Sequence, residues 1–410
     1  MSKKETVTRL SDSTYATLDF TLSWESREAS HFERFLARKA NLWRDIFPPG
    51  FKEALTGLEP GQRIRMEYEP GQAMPRRDES LLRSVPATAA APMRAAGRTV
   101  LPRAGRFFPR GLLGNLPGTY PQDVRPARIL DQSDGRFLVD LNHPMAGRPL
   151  ALEALVLDAA PKRSDTGGRL TSWMEEICDF GPGMQARAPG GRATDFGGPG
   201  AWSRLDEEDD AVFYREPRLV GHVDAQASDI LRGMYASRLT PGARVLDLMS
   251  SVQSHLPGGL GLDVTGLGMN MRELEANPAL SRRIVHDLNA SPALPFEDAA
   301  FDAAAISLSL EYLLRPREVV RECARVLAPG GQILIGFSNR WFPSKATAVW
   351  MDLHEFERMG LALDLLMEDG GFEGLWTGSA RNWWRPSGDP HIRETWTSDP
   401  VYVAGGTRRR

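Results

Sequence analysis

Residues 243–257, ARVLDLMSSVQSHLP, contain a short apolar run that is followed by a polar loop. A Pro-Gly pair precedes the run, and Val245, Leu246 and Leu248 give it the apolar character of a short strand. Asp247 lies near the carboxyl end of the run, at the edge of an open α/β sheet where ligands bind. The segment therefore predicts a parallel α/β sheet with Asp247 facing a ligand.

The segments that follow continue this alternation of strands and helices. They are DVTGLGMN (263–270), IVHDL (284–288), LPFEDAAFDAAAISLSLEYL (294–313) and ECARVLAPGGQILIGF (322–337). With residues 243–257 they resemble class I S-adenosylmethionine (SAM) methyltransferases of the type 11 kind, whose fourth strand follows an LPF-D-x-x-FD signature and whose fifth follows a Pro-Gly-Gly turn. The resemblance implies a Rossmann-like α/β methyltransferase domain with SAM as its cofactor.

The same resemblance implies a set of cofactor-binding residues. The family's first strand leads into a GxGxG loop, because glycine lets the backbone approach the methionine part of the cofactor. Here the three glycine positions hold Met249, Ser251 and Gln253, so the loop is altered and a degenerate site is the alternative. The implied contacts are Asp247, Met249, Ser250 and Ser251 at the methionine end, Asn270 at the ribose, and Asp287 and Leu288 at the adenine.

Two histidines and one loop are candidates for chemistry and acceptor binding. His255 and His286 should lie near the cofactor crevice and are candidate general bases, with caps or packing as the alternative role. After the fifth strand, Asn339, Arg340 and Trp341 are candidates for binding the methyl acceptor. The histidines show no HxxxH or HExxH spacing, so no metal site is predicted.

The N-terminal part carries a second resemblance. ATLDFTL (16–22), GFKEALTGLEPGQ (50–62), AMPRRDESLLRSVP (73–86) and FLVDLNHPMAGRPLALEALVLDA (137–159) resemble the FKBP-type prolyl isomerases, in particular their SlyD-like branch. The resemblance implies an isomerase-like pocket at Phe20, Met74 and Leu152, with Met74 in place of the family's tyrosine and Leu152 in place of a phenylalanine. These changes favour a peptide-binding or purely structural domain over an isomerase.

The chain's length and composition fit this two-domain organisation. We predict an α+β or β-rich FKBP-like domain over 1–160 with an insert around 87–136, a Gly/Pro-rich linker over 161–216, and the α/β methyltransferase domain over 217–410. A net charge of −3 gives no general attraction to nucleic acid, and no apolar run reaches the length of a membrane span. Two cysteines and no leader-like start predict a cytoplasmic location.

The leading functional hypothesis is SAM-dependent methyl transfer to an unidentified acceptor, possibly a peptide or protein. One alternative is an FKBP-type prolyl isomerase or peptide-binding chaperone whose methyltransferase domain is degenerate. The other is a non-catalytic interaction protein.

Overall fold

The computed structural model describes residues 8–95, 98–114, 116–164, 168–368 and 370–410. Parts of the predicted insert (96, 97 and 115), part of the predicted linker (165–167) and the start of the chain, on which the absence of a leader was argued, lie outside the described residues. Within the described ranges, no helix is both long enough and apolar enough to cross a membrane.

The strands in chain order are β1 (Thr14–Glu25), β2 (Ser30–Asn41), β3 (Arg63–Tyr68), β4 (Leu82–Pro86), β5 (Met93–Ala95), β6 (Arg98–Val100), β7 (Phe107–Pro109), β8 (Pro126–Ser133), β9 (Arg136–Asp140), β10 (Leu150–Pro161), β11 (Arg244–Leu248), β12 (Asp263–Gly268), β13 (Arg282–Val285), β14 (Phe301–Ser307), β15 (Leu327–Phe337), β16 (Phe372–Arg381) and β17 (Val401–Arg408). The α-helices are α1 (Phe51–Leu55), α2 (Trp173–Cys178), α3 (Asp210–Phe213), α4 (Ala225–Ala236), α5 (Met271–Ala276), α6 (Pro316–Val326), α7 (Ala348–Asp352) and α8 (Glu355–Glu368).

The chain divides into two compact units whose limits differ from the predicted domain boundaries. The first unit comprises residues up to 91, 107–184 and 380–382, and the second comprises 92–106, 185–379 and 383–410. Residues of the predicted linker are shared between the units, because each part has its own tertiary partners. Trp173 packs on the Phe20 ring at a centroid distance of 5.6 Å in the first unit, whereas Arg204 forms a buried ion pair with Asp210 in the second.

The first unit is rich in antiparallel strands. One sheet has the order β2-β1-β10-β3, and a second has the order β4-β9-β8-β7. In the first sheet Phe20 lies opposite Phe35 of β2 and Ala154 of β10. The buried side chains of β1, β2 and β10 form the core of this unit, together with Phe51 of the short helix α1.

The second unit contains the predicted Rossmann-like sheet, which the structure confirms. Its strand order is β13-β12-β11-β14-β15-β17-β16. The strands from β13 to β15 in this order run parallel, and β17 is antiparallel to β15. Val245, Leu246 and Leu248 are fully buried, as their continuous hydrophobicity predicts for a central strand. The parallel register brings the carboxyl ends of β11, β12 and β14 to one edge of the sheet.

Candidate functional site

A cavity of about 420 Å³ lies in the second unit at the carboxyl ends of the parallel strands. Asp247 of β11, Gly268 of β12 and Ser307 of β14 all line it. Its volume falls within the roughly 300–1,000 Å³ of small-molecule sites, and its position is the one that open α/β sheets use for ligands. The cavity is therefore the candidate functional site of this unit.

Most of the residues that the sequence predicts for cofactor, catalysis and acceptor line this one cavity. They are Asp247, Met249, Ser250, Ser251, Asn270, Asp287, Leu288, His255, His286, Arg340 and Trp341. Asn339 does not line it: the residue is exposed, and its Oδ1 accepts a long hydrogen bond of 3.4 Å from the Ser338 hydroxyl. The structure thus brings the predicted residues together, and their individual roles stay predictions.

The loop after β11 folds tightly despite its missing glycines. Met249 occupies the first glycine position and adopts a φ of 53°, a left-handed conformation that costs a non-glycine residue roughly 1–2 kcal/mol. The next residue bonds back to the neighbouring strand, since the Ser250 N–H donates to the Leu267 carbonyl at 2.8 Å. At Gly268 a Cβ would lie 2.2 Å from the Ser250 carbonyl oxygen. The glycine needed for this close approach is therefore in β12, across from the loop.

The carboxyl group of Asp247 is buried against this loop. Its Oδ2 accepts a hydrogen bond of 2.5 Å from the Ser250 hydroxyl, and only 1% of the residue is exposed. Burial raises the pKa of this carboxyl to about 7, although the hydroxyls of Ser250 and Ser254 act in the opposite direction. Near neutral pH the group is thus partly protonated, and it can both donate and accept a hydrogen bond at the cavity wall.

Glu273, in the first turn of α5, is a lining residue that the sequence reasoning missed. Its Oε2 accepts from the Ser251 hydroxyl and its Oε1 from the Arg218 backbone N–H, both at 2.7 Å. Residues 270–273, N-M-R-E, carry the spacing of a capping box, and this was the available signal. Through these two hydrogen bonds, Glu273 connects the loop after β11 to the chain segment that precedes α4.

Asn270, predicted to bind the ribose, caps α5 in the structure. Its Oδ1 accepts from the backbone N–H groups of Arg272 and Glu273, and its Nδ2 donates to the carbonyls of Tyr214 and Arg215 at 2.9 and 3.0 Å. Both the oxygen and the nitrogen of the side-chain amide are therefore hydrogen-bonded within the protein. A ribose contact would need Asn270 to exchange one of these partners.

The predicted adenine end is built on a turn after β13. Asp287 Oδ1 accepts from the backbone N–H groups of Asn289 and Ala290, and the Leu288 side chain beside it is buried. Asn289 in turn donates to the buried carboxylate of Asp210 at 2.8 Å. These bonds fix the turn, so the Asp287 carboxyl lines the cavity on a rigid support.

The two candidate bases differ in their surroundings. His255 is 5% exposed, has a φ of 52° and shares a hydrogen bond of 2.9 Å between its Nδ1 and the Ser228 hydroxyl. Burial lowers the pKa of His255 to about 4, so the imidazole is neutral at pH 7 and a weak base. His286 is half-buried, and its Nε2 donates to the Ser291 carbonyl at 2.8 Å.

Aromatic rings and arginines form the wall near the predicted acceptor loop. The Phe342 backbone N–H donates to the Tyr312 hydroxyl at 2.9 Å, and the two rings stack with centroids 5.9 Å apart. Trp341 has the Arg358 guanidinium on its ring, 4.3 Å from the centroid. Arg340 approaches the Nε2 of His391 at 3.2 Å. This wall suits a flat ligand with a negative or polar edge.

Two residues that line the cavity each have a buried polar atom without a hydrogen-bond partner among the described residues. These atoms are the Oγ of Ser309 and the Nη1 of Arg218. Buried donors without partners are uncommon in proteins because each costs about 1–3 kcal/mol, and more when it is charged. Unpaired donors at a cavity wall therefore favour a polar ligand in the cavity.

One family model matches part of this unit. Residues 252–335 match the methyltransferase domain family of type 11. The matched segment begins inside the loop after β11 and ends in β15, so it covers the strands β12, β13 and β14 that shape the cavity. The C-terminal region of the chain therefore carries a methyltransferase-family domain.

Curated relatives support this domain over short stretches. The demethylmenaquinone methyltransferase of Renibacterium salmoninarum is 33% identical over 105 residues, which are 25% of this chain and 44% of that protein. The ubiquinone/menaquinone biosynthesis C-methyltransferase of Roseobacter denitrificans is 40% identical over 75 residues, 17% of this chain and 29% of that protein. The chain thus spans less than half the length of these two relatives.

Solved structures resemble the chain at low identity. A SAM-dependent methyltransferase of Thermotoga maritima, described as a possible histamine N-methyltransferase, is 18% identical, with 45% of this chain and 91% of that chain covered and a TM-score of 0.33. A SAM-dependent methyltransferase of Archaeoglobus fulgidus is 15% identical, with 44% and 94% covered and a TM-score of 0.33.

The family match and the curated relatives support the predicted class, a SAM-dependent methyltransferase domain, and this class implies SAM as the cofactor. The residues present fit such a ligand. The cavity has sufficient volume, carboxyl groups at two strand ends, and unpaired donors in Arg218 and Ser309 that suit a carboxylate or hydroxyl. The Met249 side chain reduces the space for a ligand beside the loop after β11, but the cavity stays open.

The resemblance of the first unit to FKBP proteins stays a prediction, since the matched segment lies wholly in the second unit. Its three candidate pocket residues are all buried. Phe20 and Leu152 are fully inaccessible, and Met74 is 8% exposed. Leu152 lies opposite Leu22 of β1 and Met66 of β3. The structure thus places Phe20 and Leu152 in the core of the antiparallel sheet.

Proposed function

We propose that this protein transfers a methyl group from SAM to a small acceptor in the cavity of the second unit. The observation that carries the proposal is the meeting of the predicted cofactor residues at one cavity, at the carboxyl edge of a parallel sheet whose residues 252–335 match the methyltransferase family. When bound, SAM supplies an electrophilic methyl group on a sulfonium. Asp247 and the loop after it would hold the methionine end, and Asp287 with Leu288 the adenine.

The protein's contribution would be positioning and exclusion of water. Asp247 and Leu288 are buried, and the bonds of Glu273 and Asn289 hold the surrounding loops in place. Such a rigid wall keeps an acceptor nucleophile in line with the methyl group, and proximity of this kind lowers a bimolecular barrier substantially. His255 is neutral at pH 7 and can accept a proton, but its low pKa makes it a weak base. We therefore expect acceptors that lose their proton readily.

The acceptor that we propose is planar and aromatic. Trp341, Phe342 and Tyr312 line the cavity, and Arg340 adds a positive charge beside them. The curated relatives include methyltransferases named for demethylmenaquinone and for ubiquinone/menaquinone biosynthesis, and a quinone ring is planar, which agrees with a flat acceptor. A peptide or protein acceptor remains the alternative that the sequence suggested, as does peptide binding or prolyl isomerisation by the first unit.

The proposal is tested by calorimetric titration of the full-length protein with SAM and S-adenosylhomocysteine. We expect micromolar binding, weakened about tenfold by Asp287→Ala because the carboxylate contact to the adenine amine is lost. Glu275→Ala, which removes an exposed carboxylate of α5, should bind as the wild type does. A folded wild-type protein that binds neither compound at millimolar concentration would exclude methyl transfer. Unchanged affinity in a folded Asp287→Ala variant would reject the adenine role of Asp287.

A further inference from the structure

Arg218 has an unusual environment in the cavity. Its guanidinium carbon lies 4.3 Å from the centroid of the Phe213 ring and 5.1 Å from that of Phe342. Its Nη2 donates to the Phe213 carbonyl at 3.2 Å, but its Nη1 is buried without a hydrogen-bond partner in the described residues. These two rings, which contact each other edge-to-face, both pack against the guanidinium, and the unpaired donor calls for an acceptor that the described residues do not provide.

The nearby carboxylates do not fill this role. Glu273 accepts from the Ser251 hydroxyl and from the backbone N–H of Arg218 itself. Asp210 accepts two hydrogen bonds from the Arg204 guanidinium at 2.8 and 2.9 Å, and it lies 3.3 Å from the ammonium group of Lys345. Asp287 Oδ1 accepts from two backbone N–H groups of its own turn. A ligand is therefore the natural source of an anion for Arg218.

The altered loop explains why such an anion site is needed. The hydroxyls that stand near the lost glycine positions are already donated within the protein, Ser250 to Asp247 and Ser251 to Glu273. Met249 adds a side chain where the family pattern has none. Side chains at the former glycine positions limit how closely a carboxylate can approach the backbone N–H groups of the loop, and the two engaged hydroxyls do not compensate for this.

Glu273 holds the main chain of Arg218 beside this loop. One of its carboxylate oxygens accepts from Ser251 of the loop and the other from the Arg218 main chain, so the two residues are held by the same group. We propose that Arg218 binds the carboxylate of the cofactor's methionine moiety and takes over a task that the glycine-poor loop cannot perform. The inference rests on the proposed function, and it assigns the Arg218 contact to the cofactor's carboxylate and not to an anionic acceptor.

The experiment compares two ligands that differ in this carboxylate. S-adenosylhomocysteine contains it, whereas 5′-methylthioadenosine keeps the adenosine and the sulfur but lacks the amino-acid moiety. Each is titrated calorimetrically into the full-length wild type and the variants Arg218→Gln and Arg218→Lys. Arg282→Gln, which removes an exposed arginine of β13, is the matched control. Thermal unfolding of each variant checks that the protein is folded.

We expect Arg218→Gln to weaken S-adenosylhomocysteine binding roughly tenfold or more and to change 5′-methylthioadenosine binding by less than about twofold. Arg218→Lys should recover part of the loss, since it keeps the charge but not the planar fork. Arg282→Gln should match the wild type with both ligands.

Three results would overturn the inference. Equal S-adenosylhomocysteine affinity in Arg218→Gln and wild type would assign the guanidinium to another anion, such as the acceptor. Equal weakening of both ligands would show general damage to the cavity. A folded wild type that binds neither ligand would reject the proposed function itself, and this outcome is distinct from the first two because it appears before any variant is made.

Discussion

The two units contain their predicted ligand residues in opposite settings. In the second unit, Asp247 and Asp287 lie after or near the ends of parallel strands and line an open cavity. In the first unit, Phe20 and Leu152 lie within long antiparallel strands that are paired on both sides, and both side chains are fully buried. The carboxyl ends of parallel strands leave side chains at an edge where a ligand can enter, whereas the inner face of an antiparallel sheet is filled by packing. We therefore expect the place of a residue in its sheet to separate ligand contacts from core contacts better than its chemical type does.

The largest expected effect tests the core assignment in the first unit. Phe20→Ala removes a ring that packs on Phe51 at 6.1 Å and on Trp173 at 5.6 Å between centroids. We expect the free energy of unfolding of this unit to fall by about 3–5 kcal/mol, measured by urea denaturation. Leu157→Ala, at a 45% exposed position of β10, should cost much less. If the Phe20→Ala variant kept normal stability but no longer catalysed proline-limited refolding, Phe20 would be a pocket residue. The contrast between the two units would then be lost.

The next effect concerns the buried carboxyl of Asp247 and its dependence on pH. Burial raises its pKa to about 7, whereas in the unfolded chain it ionises near 3.8. The native state therefore binds more protons between these values, so the stability contributed by this group is present below about pH 4 and is lost as pH rises through about 7. We expect Asp247→Asn to gain on the order of 4 kcal/mol relative to wild type between about pH 4 and pH 8.

This gain is measured by chemical denaturation of both proteins across the pH series, with Glu275→Gln as an exposed control. Contributions from other titrating groups, such as His255, are shared by the two proteins and cancel in the difference. Parallel stability profiles for wild type and Asp247→Asn would mean that Asp247 is ionised in the native state.

The smallest expected effect comes from a substitution at the close approach of β12 to the loop after β11. In Gly268→Ala the new Cβ would lie 2.2 Å from the Ser250 carbonyl oxygen, so the loop must shift. We expect a loss of about 1–3 kcal/mol in stability, together with weaker S-adenosylhomocysteine binding. In Gly259→Ala the Cβ has no atom within 4 Å, so this variant should change neither property. Unchanged affinity in Gly268→Ala would show that the loop is not part of the site.

Several parts of the site were predictable from local sequence. The apolar run from Val245 to Leu248 predicted a buried parallel strand, and its carboxylate predicted a ligand-facing edge. The capping-box spacing from Asn270 to Glu273 indicates a helix N-terminus, and in the structure the Asn270 Oδ1 caps α5 while its Nδ2 donates to the Tyr214 carbonyl. The contact of Asn270 with a ribose stays a prediction. Arg218 gave no local signal, since an arginine before a helix is ordinarily a solvated residue.

The sequence by itself determined the parallel sheet, the strand ends at which polar residues collect and the methyltransferase family of residues 252–335. Hydrophobic runs and turn residues act over a few positions, so they can be recognised in one dimension. Tertiary structure alone decided which donors are engaged and which have no partner among the described residues. Glu273 joins Ser251 and Arg218 across separations of 22 and 55 residues. Hydrogen bonds over such distances in the chain depend on how distant segments meet, and no local pattern encodes them.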